Sequence, residues 1–288
     1  MMIEYKHNLR RMRGQIIGWG VGIALYGLMM VSLYDTINRI EGLQQLIDSY
    51  PPEFMAFFGG MTDLSSPQGY LDTYFFSYMT LIIGIFVVGA GGGLLAADEE
   101  RGILDLVLAH PLSRAGLFAG RFLSMVTAIV LVLLLGWLSW AVPGGSTTLG
   151  LSWLQYLRPF LPLLAQLLVF GCLALFLSMV LPASRIAGML SGALLFANFL
   201  LLGLAKLNDK LEPVVKLTPM YYYEGGKAIN QINWGWSAGL LLAALALTVG
   251  AWVLFKGRDI RVAGERSWRI PGLRGRSERS ARADRQAG

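Results

Sequence analysis

Asp98, Glu99, Glu100 and His110 are the side chains of this chain most readily turned to chemistry. Three carboxylates and an imidazole are ligands for a divalent cation, and a membrane enzyme acting on lipid headgroups would hold its metal with such a set. That use needs ligands converging from several elements, and no second acid cluster stands near enough to join them. The rest of the chain offers less. One cysteine and two histidines exclude a disulfide framework and a Cys/His structural metal site. Cys172 lies inside an apolar run and reads as a small buried hydrophobe. A phosphate-binding loop of the form G-x-x-x-x-G-K-[ST] is absent. Its nearest approach, Gly226-Lys227, has Tyr221 in place of the first glycine and Ala228 in place of the hydroxyl.

The acids instead open a stretch whose chemistry is contact. Asp98-Glu99-Glu100-Arg101 follows directly on an apolar run, and such charges cost several kcal/mol each in lipid, so the chain must leave the membrane there. Ile103, Leu104, Val107 and Leu108 stand at i, i+1, i+4 and i+5, one apolar stripe of a short helix flanked by Asp105 and the preceding charges. Pro111 disfavours helical geometry at His110 and ends that helix, and Ser113 is placed to cap the next one. On the residues alone, a helix resting on lipid headgroups accounts for this pattern as well as any other use.

The elements around this stretch are membrane spans. The chain has 288 residues, 55% apolar and 15% charged, with a mean hydropathy of +0.55, where a soluble domain carries about 25% charge. A spanning helix needs about 20 apolar residues. Six runs qualify: Gln15–Tyr34, Tyr74–Ala97, Leu117–Val142, Pro159–Leu181, Ile186–Ala205 and Gly235–Phe255. The first is expected to be a retained span rather than a cleaved signal peptide, because it is long, carries Trp19, Tyr26 and Tyr34, and no small-residue cleavage site follows. Arg121 and Arg158 stand near span ends, where a long side chain snorkels to the interface.

Basic residues set the orientation. Lys6, Arg10, Arg11 and Arg13 precede the first span, whereas Arg39 alone faces Asp35, Glu41, Asp48, Glu53, Asp63 and Asp72 between the first two. The tail from Lys256 has ten basic and four acidic residues, which accounts for the net charge of +6. Both termini are therefore expected in the cytoplasm together with residues 98–116, and residues 35–73, 143–157 and 206–234 outside. No acid sits at mid-depth in a span, and no matched helix breaks or repeats occur. Both absences weigh against an ion-coupled secondary transporter.

The pattern E-E-x-G-x-L-D-L-x-L-A-x-P-x-S-R over Glu99–Arg114 resembles the coupling segment of permeases of the type-two ABC membrane exporter family. Tyr50-Pro51-Pro52-Glu53-Phe54, Ser66-Pro67-Gln68-Gly69-Tyr70-Leu71 and Leu217-Thr218-Pro219-Met220-Tyr221 are similar to the same family's loops. Phe255-Lys256-Gly257-Arg258-Asp259-Ile260 is similar to its F-x-x-R-D-[LI] ending, so the likeness spans about residues 5–260. Ile103 departs from it, standing where the family often has threonine.

The resemblance implies an all-α integral membrane fold of six transmembrane helices, with an N-terminal interfacial helix over 1–14 and the permease domain over 15–260. It also implies a short cytoplasmic coupling helix between spans two and three, and short re-entrant outer helices before span six. Glu99, Glu100, Arg101, Ile103, Leu104, Asp105, Val107 and Leu108 would then meet a separate ABC ATP-binding subunit, the apolar four as knobs and the charged four as rim. ATP and magnesium would sit on that partner, with no cofactor, metal or catalytic residue on this chain. A second permease copy or a sister permease would complete the path. Residues 261–288, rich in Arg, Ser, Gly and Ala, read as a disordered basic tail drawn to anionic lipid, with no nucleic acid expected.

Overall fold

The computed structural model describes residues 1–40, 45, 49–51, 66–100, 102 and 113–257. The described chain is helical, with no strand among the described residues. Helix α1 is Met2–Asn38. Helix α2 (Pro67–Leu71), a π-helical turn (Asp72–Phe76) and α3 (Ser77–Gly93) follow one another without a break. After a turn at Leu94–Leu95 comes the short α4, Ala96–Glu100. Then come α5 (Arg114–Gly144), α6 (Trp153–Leu157), α7 (Phe160–Val180) and α8 (Ser184–Ala205). The short α9 (Glu212–Val215) lies among three 3-10 turns, and α10 is Trp234–Gly257.

Six stretches are long and apolar enough to cross a membrane: Met2–Ile37, Pro67–Gly93, Arg114–Gly144, Trp153–Val180, Ser184–Ala205 and Trp234–Gly257. Each contains most of one run expected from hydropathy. The second ends earlier than expected, at Gly93 rather than Ala97. The expected cap is in place: Ser113 Oγ accepts the Gly116 N–H at 3.0 Å.

The first 14 residues do not form an element of their own. Helix α1 runs through them unbroken, because one buried stripe continues along it: Glu4, Asn8, Met12, Ile16, Ile23, Val31 and Tyr34. At about 1.5 Å per residue, 37 residues reach about 55 Å, well beyond a hydrocarbon core of about 30 Å. The polar and apolar parts of the stripe thus lie on one continuous helix.

Two pairings organise the bundle. Helix α1 lies along α5, where glycines let the backbones close in: a Cβ at Gly136 would stand 3.1 Å from Ile23 Cγ2, and one at Gly120 would stand 2.7 Å from the Met1 carbonyl oxygen. Helix α7 is the inner member, packed against α3, α10 and α8. A Cβ at Gly91 in α3 would strike the Gly171 carbonyl oxygen in α7, so this position requires glycine. Of the most apolar stretch of Trp153–Val180, 72% is buried, against 17% for Ser184–Ala205 and 22% for Trp234–Gly257. The last two helices are thus the most thinly covered of the six.

The bundle has two ends. Met1, Asp98, Arg114, Ser184 and Lys256 gather at one, the termini end; Arg114 Nη1, for example, donates to the Lys256 carbonyl at 3.2 Å. At the other, the far end, Asp35 accepts from the Thr148 N–H at 3.2 Å, and Arg158 Nη1 donates to the Asn230 carbonyl at 2.9 Å. An aromatic core fills the far half, with ring centroids 4.9 Å apart for Tyr34 and Tyr70, 5.4 Å for Phe75 and Trp140, and 5.2 Å for Phe76 and Phe160. The π-helical turn at Asp72–Phe76 leaves carbonyls without regular helical partners. Tyrosines fill them, with Tyr26 Oη donating to the Tyr74 carbonyl and Tyr223 Oη to the Phe76 carbonyl at 3.1 Å.

Candidate functional site

Helix α3 cannot run on as one straight helix into the charged stretch. It breaks at Leu94–Leu95, the short α4 re-aims the backbone, and Asp98, Glu99 and Glu100 then fall at the root of the segment that begins at 101. Of the eight residues expected to meet a partner, Glu99 and Glu100 are described; Arg101, Ile103, Leu104, Asp105, Val107 and Leu108 lie outside the described residues, as does His110.

Asp98 is the centre of the described site. It is 3% exposed, and both its oxygens are engaged. Arg11 Nη1 from α1 stands 2.8 Å from Oδ1 and 3.0 Å from Oδ2, and Arg121 Nη2 from α5 stands 2.8 Å from Oδ2. Arg121 also donates Nη1 to the Leu94 carbonyl at 3.0 Å, a group left over by the end of α3, and brings Nε within 3.7 Å of Glu4 Oε2. Charged hydrogen bonds of this kind are short and about twice as strong as neutral ones. Beside them Asn8 Nδ2 donates to Ser124 Oγ at 2.5 Å, Ser124 Oγ to the Arg121 carbonyl at 2.6 Å, and Tyr5 Oη to Thr127 Oγ1 at 3.2 Å. These bonds join the first turns of α1 to α5.

The snorkelling expected of Arg121 is therefore overturned. The side chain is 4% exposed and points into the protein, because an acid on α4 and another on α1 stand within its reach, and pairing there satisfies a charge two turns inside an apolar helix. Arg158 is half-buried and donates to the carbonyls of Ile229 and Asn230.

Glu100 is held differently. Its carboxylate accepts the Ser184 N–H and, at 2.9 Å, the Ser184 Oγ–H. The residue preceding α8, Ala183, has no side chain to cap it, so a carboxylate from another element fills that place, where the helix dipole favours an anion. The root of the segment thus touches α1 and α5 through Asp98, and α8 through Glu100.

This arrangement is poor metal chemistry. Of the side chains that a headgroup-directed enzyme would spend on a cation, Asp98 is held by two arginines and Glu100 by a helix N-terminus. Among the described residues no three of His, Cys, Asp and Glu gather in a way that could hold a metal ion. Gly226-Lys227 belongs to a 3-10 turn packed on the π-helical turn, with the Gly226 N–H donating to Asp72 Oδ1 at 2.7 Å.

Sequence reasoning missed Glu4 and Ser184 as members of this site, and left Arg121 and the N-terminal basic segment open between pairing with the acids of this stretch and anionic headgroups; the structure pairs Arg11 and Arg121 with Asp98. The available signal was an arginine two turns inside an apolar helix, paired in sequence with an acid at the exit of the preceding span. A charge so placed needs a protein partner.

Residues 5–223 match the family described as ABC-2 family transporter protein, and with more than half of its length covered the chain belongs to that family. The last span lies beyond the matched residues. No curated protein matches the chain.

Proposed function

We propose that this member of the ABC-2 transporter family is the membrane subunit of an ATP-driven exporter, working as a pair of permeases and driven by a separate ATP-binding subunit. The partner carries ATP and magnesium and performs the hydrolysis; this chain supplies the translocation path. The termini end faces the cytoplasm, as the basic residues around the first span and the tail require, and the membrane is the cell's inner, plasma membrane.

Residues 99–110 form the contact with the ATP-binding subunit. Ile103, Leu104, Val107 and Leu108 are the apolar knobs, and Glu99, Glu100, Arg101 and Asp105 form the polar rim that fixes register. The observation that carries this reading is the root of that stretch. A residue with only an interfacial role needs no anchorage, yet Asp98 holds buried arginine from α5 and half-exposed arginine from α1 at 2.8 Å each. A push delivered to the segment therefore reaches two spans without slack.

The test is co-expression with an ATP-binding subunit of the same system. Leu104→Asp or Val107→Asp places a charge in an apolar contact, so each is expected to abolish stimulation of the partner's ATPase while the protein still inserts into membranes. Full stimulation by either variant contradicts the assignment.

A further inference from the structure

Asp98 and Glu100 anchor the same short helix by contacts of opposite character. Glu4 and Asp98 carry two negative charges and Arg121 one positive charge, all three less than a tenth exposed. The cluster is neutral only with Arg11, whose side chain is 42% exposed. Withdrawing either arginine leaves an uncompensated carboxylate in a low-dielectric site, the expensive way to break an ion pair. Around the cluster the α1–α5 contact is tight along its whole length. A Cβ at Gly120 would stand 2.7 Å from the Met1 carbonyl oxygen and 3.1 Å from Glu4 Cβ, and further along one at Gly136 would stand 3.1 Å from Ile23 Cγ2.

The Glu100 contact is exposed. Water replaces an exposed hydrogen bond at little net cost. Helix α8 is also the least buried of the six spanning stretches, with 17% of its apolar window covered. Next to the Glu100 contact, Gly188 meets Gly92 of α3 only at van der Waals distance, 3.5 Å from the place of a Cβ; the interlocking contact of α8 with α3, Leu195 over Gly84, lies about three turns beyond Ser184.

We propose that Asp98 is a fixed pivot and Glu100–Ser184 a releasable catch. When α4 is displaced, α1 and α5 travel with it as one body, and α8 separates from it. Arg11 is the positioning residue that keeps the pivot neutral. This inference rests on the reading that residues 99–110 meet an ATP-binding subunit.

The test uses the full chain in lipid nanodiscs with its ATP-binding subunit. Spin labels go at the exposed positions Ile17 in α1, Leu123 in α5 and Met189 in α8, in a Cys172→Ala background. Between the nucleotide-free and ATP-trapped states the 17–123 distance stays constant, while the 123–189 distance shifts; Glu100→Ala brings the shifted 123–189 population into the nucleotide-free state. Arg11→Gln, on a half-exposed side chain, leaves insertion and co-purification intact but lowers ATPase stimulation at least about fivefold, the range of a coupling effect, and Arg11→Lys restores it. A changed 17–123 distance, an unchanged 123–189 distance, or undiminished stimulation by Arg11→Gln overturns the pivot while leaving the function standing. If the wild-type chain neither co-purifies with nor stimulates the ATPase, the function falls and the pivot with it.

Discussion

Gly91 and Gly89 stand two positions apart in α3 and meet opposite surroundings. A side chain at Gly91 would run into the Gly171 carbonyl oxygen, whereas one at Gly89 meets nothing within 4 Å. Gly91→Ala must push α3 from α7 and is expected to cost about 1–3 kcal/mol, as overpacking does. Gly89→Ala lies in an exposed helix interior and is expected to gain up to about 1 kcal/mol from helix propensity. Thermal unfolding of the two variants in detergent reads the difference directly, and equal shifts would contradict the close approach. The same reasoning holds for Gly226, where a Cβ would stand 2.5 Å from Asp72 Cβ and 2.8 Å from its Cα. Gly226→Ala breaks the bond to Asp72 and is expected to speed amide exchange over residues 223–233, while the termini end exchanges as before. At this scale the sequence was an incomplete guide. Gly89, Gly91, Gly92 and Gly93 stand out in the sequence as a small-residue run, but nothing in a single chain says that Gly171 is the partner of Gly91, since the partner is chosen by three-dimensional packing between distant helices.

Elements were more legible than residues. Hydropathy located all six spans because a helix in lipid must satisfy its own backbone and present apolar side chains for about 20 residues, and Ser113 marked the start of α5 through its hydroxyl. Two features escaped. Helix α1 does not stop at residue 14, because Glu4 and Asn8 continue the same buried stripe that Met12 and Ile16 begin, and a polar-to-apolar change along one face resembles two elements in a hydropathy reading. The π-helical turn has no sequence signature at all; its carbonyls are satisfied from 48 and 147 residues away, by Tyr26 and Tyr223. The segment before α10 depends on the second of these. Burial first, and the nearby Asp72 carboxylate next, push the Tyr223 phenol well above its usual value of about 10. A phenol favoured in its neutral form lends stability that is complete below about pH 10 and lost as pH rises toward the folded-state value. Hydrogen exchange over residues 223–233 is therefore expected to rise at alkaline pH in the wild type. In Tyr223→Phe it should already be raised at neutral pH, by the loss of one bond worth about 1 kcal/mol, with less further change on titration. Identical pH profiles for the two proteins would exclude Tyr223 as the holding group.

The whole molecule combines a tightly joined pair, α1 with α5, and an inner helix, α7, with two thinly covered helices, α8 and α10. Leu241, Leu242, Leu245, Val249 and Val253 face outward on α10, and Ile186, Met189, Leu190 and Leu194 on α8. In a bilayer that surface meets lipid or another protein. Asp98 ties α4 to both α1 and α5, and under the proposed function that tie is what carries a push on the segment after α4 into two spans. A photo-crosslinking amino acid at Val107, activated in intact membranes holding both subunits, tests that function most directly. The account predicts a covalent adduct between this chain and the ATP-binding subunit. Adducts confined to lipid, or labelling of position 107 by a membrane-impermeant reagent added outside the cell, would contradict it.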